Sequence, residues 1–233
     1  MQEKQCTIKN EIKLSGIGLH TGKIVNITFK PAPENFGYKF KRIDIDNNIY
    51  VDAIVDNVYD SSRGTSLQKD GVIIRTVEHV LASLSGLGID NVLMELDGEE
   101  VSIMDGSAKV FVEALSSVGI EEQNDNRNYI TITENIIYKD ESKKVEMIAV
   151  PSDDFSLSVM IDYDSKVLVS QHSRLDRMED FKEEISGCRT FVFLHELEFL
   201  LNNNLIKGGD LNNAIVIVDK KMSDEELQHL SKI

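Results

Sequence analysis

The sequence predicts an α+β protein whose two halves share one plan, strands followed by helices. Three observations carry that expectation. Short runs in which apolar and polar residues alternate recur along the whole chain, and a period of two is the pattern of half-buried strands. Helical spacing is confined to a few stretches, the clearest at residues 76–91. Between the halves lies Glu121-Glu122-Gln123-Asn124-Asp125-Asn126-Arg127-Asn128, polar and without apolar period, which reads as a linker. The expected division is residues 1–124 and residues 125–233.

A chain of 233 residues with 41% hydrophobic content is long enough for one large core or two small ones. Its 40 acidic and 25 basic residues leave a formal charge of −15. That sign excludes a broad nucleic-acid surface and electrostatic docking on anionic lipid, though not a small basic site for a phosphorylated substrate. Residues 1–10 lack an apolar run, and the longest one, residues 214–218, is far too short to span a bilayer. The expected location is the cytoplasm. Cys6 and Cys188 belong to no C-x-x-C motif and read as reduced packing thiols.

In the first half, residues 6–14 alternate as a strand, residues 15–22 with three glycines make a tight loop, and residues 24–29 return as the second strand of a hairpin. The loop presents His20 and Thr21. Gly16-x-Gly18 alone does not make a nucleotide site, because no helix follows to receive a phosphate. After a loop at residues 31–37 come extended stretches at 38–42 and 49–59, a polar segment at 61–67 and a strand at 71–74. Val77, Val80, Leu81, Leu84 and Leu87 then form one helical stripe, stopped by Gly86 and Gly88. Residues 91–96 are the next strand. Asp105-Gly106-Ser107 turns into a second helix with Val110, Phe111, Ala114 and Leu115 on its apolar face and Ser107 as its cap.

The second half repeats the plan. Residues 129–137 and 144–150 read as strands around an Asp140-Glu141-Ser142 turn, and residues 155–163 as a third strand. Residues 180–186 look helical, 189–193 extended, 195–203 helical and 214–218 a buried strand after Gly208-Gly209. Ser223, with Glu226 three residues on, forms a capping box for a last helix.

Glu78 and His79 fall off the apolar stripe, onto the side of the first turn shared with Ala82, Ser83, Ser85 and Gly86. Those small side chains leave space for a substrate or a second domain. A helix N-terminus favours an ionised Glu78 and disfavours a protonated His79, and neutral imidazole is the metal-binding form. A terminal Glu satisfying free N–H groups beside a solvated His would give the same sequence. The pair is not H-E-x-x-H, since Ser83 stands where the second His would be.

Together the segments resemble the UDP-3-O-acyl-N-acetylglucosamine deacetylases, zinc hydrolases of lipid A synthesis in Gram-negative bacteria. The motifs that carry the resemblance are Gly18-Leu19-His20-Thr21-Gly22, Thr76-Val77-Glu78-His79, Gly86-Leu87-Gly88-Ile89-Asp90-Asn91, Ile103-Met104-Asp105-Gly106-Ser107-Ala108 and Arg189-Thr190-Phe191. Gly208-Gly209 with Asn213-Ala214-Ile215-Val216 follows in the same order. The resemblance implies two α+β domains of similar build, each a sheet layered with helices, with the active site between them. It implies His79 as a zinc ligand, Glu78 as the base that takes a proton from water, and Thr190 as a donor to the oxyanion. It implies Leu19, His20 and Phe191 as substrate contacts, and an apolar passage for the acyl chain around residues 193–205. It implies UDP-3-O-acyl-N-acetylglucosamine as the substrate, and a monomer is expected.

One departure stands out. The family's other zinc ligands come from a later His-Lys-x-x-x-Asp motif and its general acid from a further His, and the sequence has neither. Besides His79 it offers His20, His172, His195 and His229. Three readings follow: the N-terminal portion of a deacetylase, in some bacteria fused to a hydroxyacyl-carrier-protein dehydratase; a non-catalytic member that binds an acylated sugar nucleotide or a partner; or a metal hydrolase completing its site with His20, His172 or an Asp. The first predicts that the chain by itself neither holds zinc stoichiometrically nor deacetylates, and that its second half exposes apolar surface.

Overall fold

The computed structural model describes residues 3–46, 48–203, 205–223 and 225. The strand expected over residues 6–14 is two strands, β1 (Lys4–Ile8) and β2 (Ile12–Ile17). Lys9, Asn10 and Glu11 are exposed between them, which keeps three polar side chains in water while Ile8 and Ile12 still face the core. β2 forms the expected hairpin with β3 (Ile24–Pro31), in register from Ile12↔Phe29 to Ile17↔Ile24. β4 (Tyr38–Arg42) and β5 (Val51–Asp52) follow, then β6 (Val58–Asp60), β7 (Ser66–Lys69) and β8 (Val72–Ile74). Helix α1 (Glu78–Gly86), β9 (Val92–Leu96), α2 (Lys109–Ser117) and β10 (Ile120–Asn126) complete the first half.

The main sheet has the order β2-β3-β9-β4-β5, and β6-β7-β8 form a second sheet. Alternation decides which side chains go inward. On β3 it is Val25, Ile27 and Phe29, on β9 Val92, Met94 and Leu96. They meet Val77, Val80 and Leu84 of the predicted α1 stripe, with Phe111 and Leu115 of α2. Phe29 and Phe111 touch edge to face, ring centroids 6.3 Å apart. Burying each of these large side chains stabilises the fold by about 1.5–3 kcal/mol. Val112 of α2 is buried as well, on a flank the sequence did not mark as apolar, because it packs with Ala108, Leu175 and Phe181 in a second cluster.

Residues 121–126 are not a linker. They belong to β10, which pairs antiparallel with β1 through Cys6↔Glu122, Thr7↔Glu121 and Ile8↔Ile120. Most β10 side chains point to solvent, so the strand is held by its backbone ladder and has no apolar alternation to reveal it. Gln123 supplies one inward tie, donating to Ala32 O at 2.9 Å and accepting from Asn91 at 2.8 Å. Asp90 and Asn91 close the same corner: Asp90 accepts the Cys6 N–H at 2.7 Å and pairs with Arg127 at 3.0 Å, while Asn91 accepts the Gly37 N–H at 2.8 Å.

The second half is built differently from the first. β11 (Ile136–Asp140) and β12 (Val145–Ala149) form a hairpin around the predicted turn, where Asp140 accepts from Ser142. The first strand therefore starts at residue 136 and not at 129. β13 (Leu157–Ile161) pairs with β14 (Gln171–Leu175), a strand with no apolar pattern of its own. A 3-10 turn (Met178–Asp180) leads into α3 (Phe181–Glu184); β15 (Phe191–Phe193), α4 (Leu194–Asn202) and β16 (Ile215–Ile217) make a parallel crossover. Among the described residues these strands stay in separate two-stranded ladders, and nearly every side chain of β11, β12 and β13 is exposed. Exposed apolar surface in this half is what the sequence led us to expect. The capping box at Ser223 and Glu226, and His229, lie outside the described residues.

The halves meet along α1 and α2. Ser186 O accepts the Ala108 N–H at 3.0 Å, Gly106 O accepts the Thr190 N–H at 2.8 Å, and Arg189 Nε donates to Asp105 O at 2.7 Å. The Phe181 ring lies flat against Gly86, where a Cβ would overlap it. Among the described residues no helix is long and apolar enough to cross a membrane.

Candidate active site

α1 opens abruptly. Thr76 is buried in the left-handed region at φ +57°, and Val77 sits between it and the first helical residue, Glu78. The Val77 N–H donates to Thr65 O at 3.1 Å, which brings the polar segment at residues 61–67 against the helix start. Glu78 does not cap its own helix; its Oε2 accepts the Thr65 N–H at 2.8 Å. Oε1 lies over Gly64, 3.0 Å from where a Cβ would stand, so no side chain there blocks approach to it. The carboxylate is thus held through one oxygen, and a glycine stands where a side chain would crowd the other.

His79 is half-buried. Burial pushes its imidazole pKa below the ordinary value, against the opposing pull of the Glu78 and Asp105 charges, which favours the neutral ring. The space beside Ala82, Ser83 and Gly86 is filled, by α2 and by Phe181 of the second half: Ser83 Oγ donates to Ala108 O at 3.1 Å and sits 2.8 Å from His79 O. Asp105, which the sequence marked as a turn residue within the Ile103–Ala108 motif, is close enough for its charge to act on His79. Its Oδ1 is held by the Ser107 N–H at 3.1 Å and hydroxyl at 2.8 Å, and Ser107 Oγ accepts the Lys109 N–H at 3.1 Å as the predicted cap of α2.

Thr190 joins this group through the Gly106 bond, and Arg189 secures it by a second bond to Leu211 O at 3.2 Å. The loop at residues 18–22 reaches the other half too: His20 Nδ1 is 2.7 Å from Leu205 O, and Leu19 O accepts the Gly208 N–H at 3.0 Å. Phe191 packs in an aromatic cluster with Tyr163 (5.3 Å between centroids) and Phe193 (5.8 Å). His172 is remote from this group, on the exposed β13–β14 ladder with Ser158 Oγ at 2.9 Å, and His195 pairs with Asp219. Neither stands beside His79. Asp105 was visible as part of a motif, but nothing local in Ile103-Met104-Asp105 says that its charge acts on His79.

Zinc asks for three protein ligands in a catalytic site. Among the described residues no group of three His, Cys, Asp or Glu side chains stands together as a metal site. His79 fits one ligand position, and the set around it does not fit a complete centre.

Residues 5–231 match the LpxC family, described as UDP-3-O-acyl N-acetylglycosamine deacetylase, and the chain belongs to that family. Over 230 residues, 99% of the chain, it is 46% identical to the bifunctional enzyme LpxC/FabZ of Bacteroides thetaiotaomicron. It is 49% identical over 228 residues to the protein of that name from Chlorobaculum tepidum. The UDP-3-O-acyl-N-acetylglucosamine deacetylase of Teredinibacter turnerae is 41% identical over 228 residues. The chain covers 50% and 49% of the two bifunctional relatives and 74% of the third, so it spans about half the length of the first two.

Proposed function

We propose that the chain carries part of the machinery that hydrolyses the N-acetyl group of UDP-3-O-acyl-N-acetylglucosamine in the cytoplasm. The observation that carries this reading is the Glu78 carboxylate, held by the Thr65 N–H with only a glycine against its other oxygen, next in sequence to His79, whose burial favours the neutral ring. Glu78 takes a proton from the attacking water. The Thr190 hydroxyl donates to the oxyanion of the tetrahedral intermediate, and Leu19, His20 and Phe191 contact substrate. His79 supplies one zinc ligand; the others are not among the described residues. The cleft lies between two units, residues 1–124 and 125–233 in the division expected from sequence, with the boundary better drawn after Arg127 because β10 runs to Asn126. The protein acts as a monomer.

The test is acetate release from that substrate. In a protein that releases acetate, Glu78→Gln lowers turnover about 10²–10⁴-fold, the usual worth of a positioned base, and leaves the zinc content unchanged. His79→Ala lowers both. Full activity in Glu78→Gln would remove the role given to that carboxylate, and no release by any protein containing this chain would favour a member that only binds. The names of the two bifunctional relatives support a second reading in which the same unit is joined to a dehydratase. The size of the protein in its native cell, by mass spectrometry, separates that arrangement from a stand-alone deacetylase.

A further inference from the structure

A buried carboxylate away from the Glu-His pair has no role in the reaction described above. Glu100 is fully buried, and burying a charge is costly unless hydrogen bonds replace its water. Three donors do so. Oε1 accepts the His20 N–H at 2.9 Å and the Thr76 hydroxyl at 3.1 Å, and Oε2 accepts the Thr21 N–H at 2.9 Å. The first and last belong to the loop at residues 18–22. The second belongs to the strained residue two positions before Glu78. One carboxylate therefore bridges Thr76 to residues 55 and 56 positions before it in sequence.

The surroundings are shaped to the bridge. Glu100 is carried beside Thr76 by the backbone, since Glu99 O accepts the Arg75 N–H at 2.8 Å and the Val101 N–H donates to Arg75 O at 3.0 Å. A Cβ on Gly18 would overlap Glu100 Oε2, so the loop approaches the carboxylate as closely as it does only because position 18 is glycine. On its far side the same loop touches the second half through Leu19 O and the His20 ring.

We propose that Glu100 is a positioning residue that fixes the loop bearing Leu19 and His20 relative to the start of α1 bearing Glu78 and His79. It touches no reacting atom. Its carboxylate sets the spacing between the substrate-contacting loop and the base, and the inference rests on the function proposed above for both. Replacing it with glutamine puts an NH2 group where an oxygen accepted; the loop N–H set against that donor expels the side chain, and its bonds to both segments are lost together.

Hydrogen exchange on the chain reads the tie without reference to activity. In Glu100→Gln the amides of His20 and Thr21 and those of residues 76–79 are expected to exchange at least tenfold faster together, while β3 and β9 keep their rates. Thr76→Val, which leaves both loop amides bound, is expected to speed residues 76–79 alone, and Thr76→Ser to restore them. Faster exchange of the loop alone in Glu100→Gln, no change in either segment, or an equal rise in β3 and β9 would overturn the tie. In a protein with measured acetate release, Glu100→Gln should raise KM at least tenfold with a smaller fall in kcat, and Gly18→Ala should do the same. Unchanged KM would overturn the positioning role even if exchange had changed. Absence of acetate release from the parent protein would count against the proposed function only, and exchange would still decide whether Glu100 joins the two motifs.

Discussion

Strands β3 and β13 are both rich in apolar residues, yet they end in opposite surroundings. In β3, Val25, Ile27 and Phe29 are within 3% of complete burial. In β13, Leu157, Val159 and Ile161 are 41–50% exposed and Met160 is 77% exposed. β3 has β2 and β9 as neighbours and two helices packed over it; β13 has β14 alone. Alternation tells a strand which side chains share a face. Burial needs a second layer to cover that face, and the described part of the second half provides one only near Leu175, Phe181 and the buried leucines of α4.

Four substitutions probe that difference, in falling order of effect. Phe111→Ala removes a fully buried ring from the first core and should cost about 3–5 kcal/mol in urea denaturation; a cost below about 1 kcal/mol would mean that this core is far looser than its packing implies. Gly86→Ala drives a methyl into the Phe181 ring, the main apolar tie between halves. It should cost about 1–3 kcal/mol and speed proteolysis after residue 128, and an unchanged digestion pattern would show that Phe181 is not what holds the second half in place.

Asp52→Asn tests electrostatics inside the well-packed half. Hydrogen bonds from Lys39 and Lys69 hold the Asp52 pKa below its ordinary value. A depressed carboxylate stabilises the fold above its unfolded pKa and loses that contribution as pH falls through the folded one. The wild-type advantage over Asp52→Asn should be about 0.2–1 kcal/mol at pH 7 and close on acidification below the ordinary carboxylate pKa; an advantage that grew at low pH would reverse the assignment. Smallest of all should be Val159→Ser in β13, within about 0.5 kcal/mol. If it rivalled Phe111→Ala, the contrast between the two strands would fail.

Much of the first half was legible because its signals are local. The α1 stripe, the β2–β3 hairpin and the Ser107 cap each depend on residues within a few positions of one another, and local spacing determines them. The position of Glu78 and His79 at the first turn of a helix followed from the same stripe. What only tertiary structure decided are the contacts between distant segments: β10 on β1, Thr190 on Gly106, Phe181 on Gly86, and Glu100 between Thr76 and the loop at residues 18–22. A polar strand paired through its backbone has no side-chain period, and a buried carboxylate met by backbone N–H groups has no cationic partner to look for. Such pairings leave no trace in the order of residues around them, because the groups that form them, peptide N–H and C=O, are the same at every position.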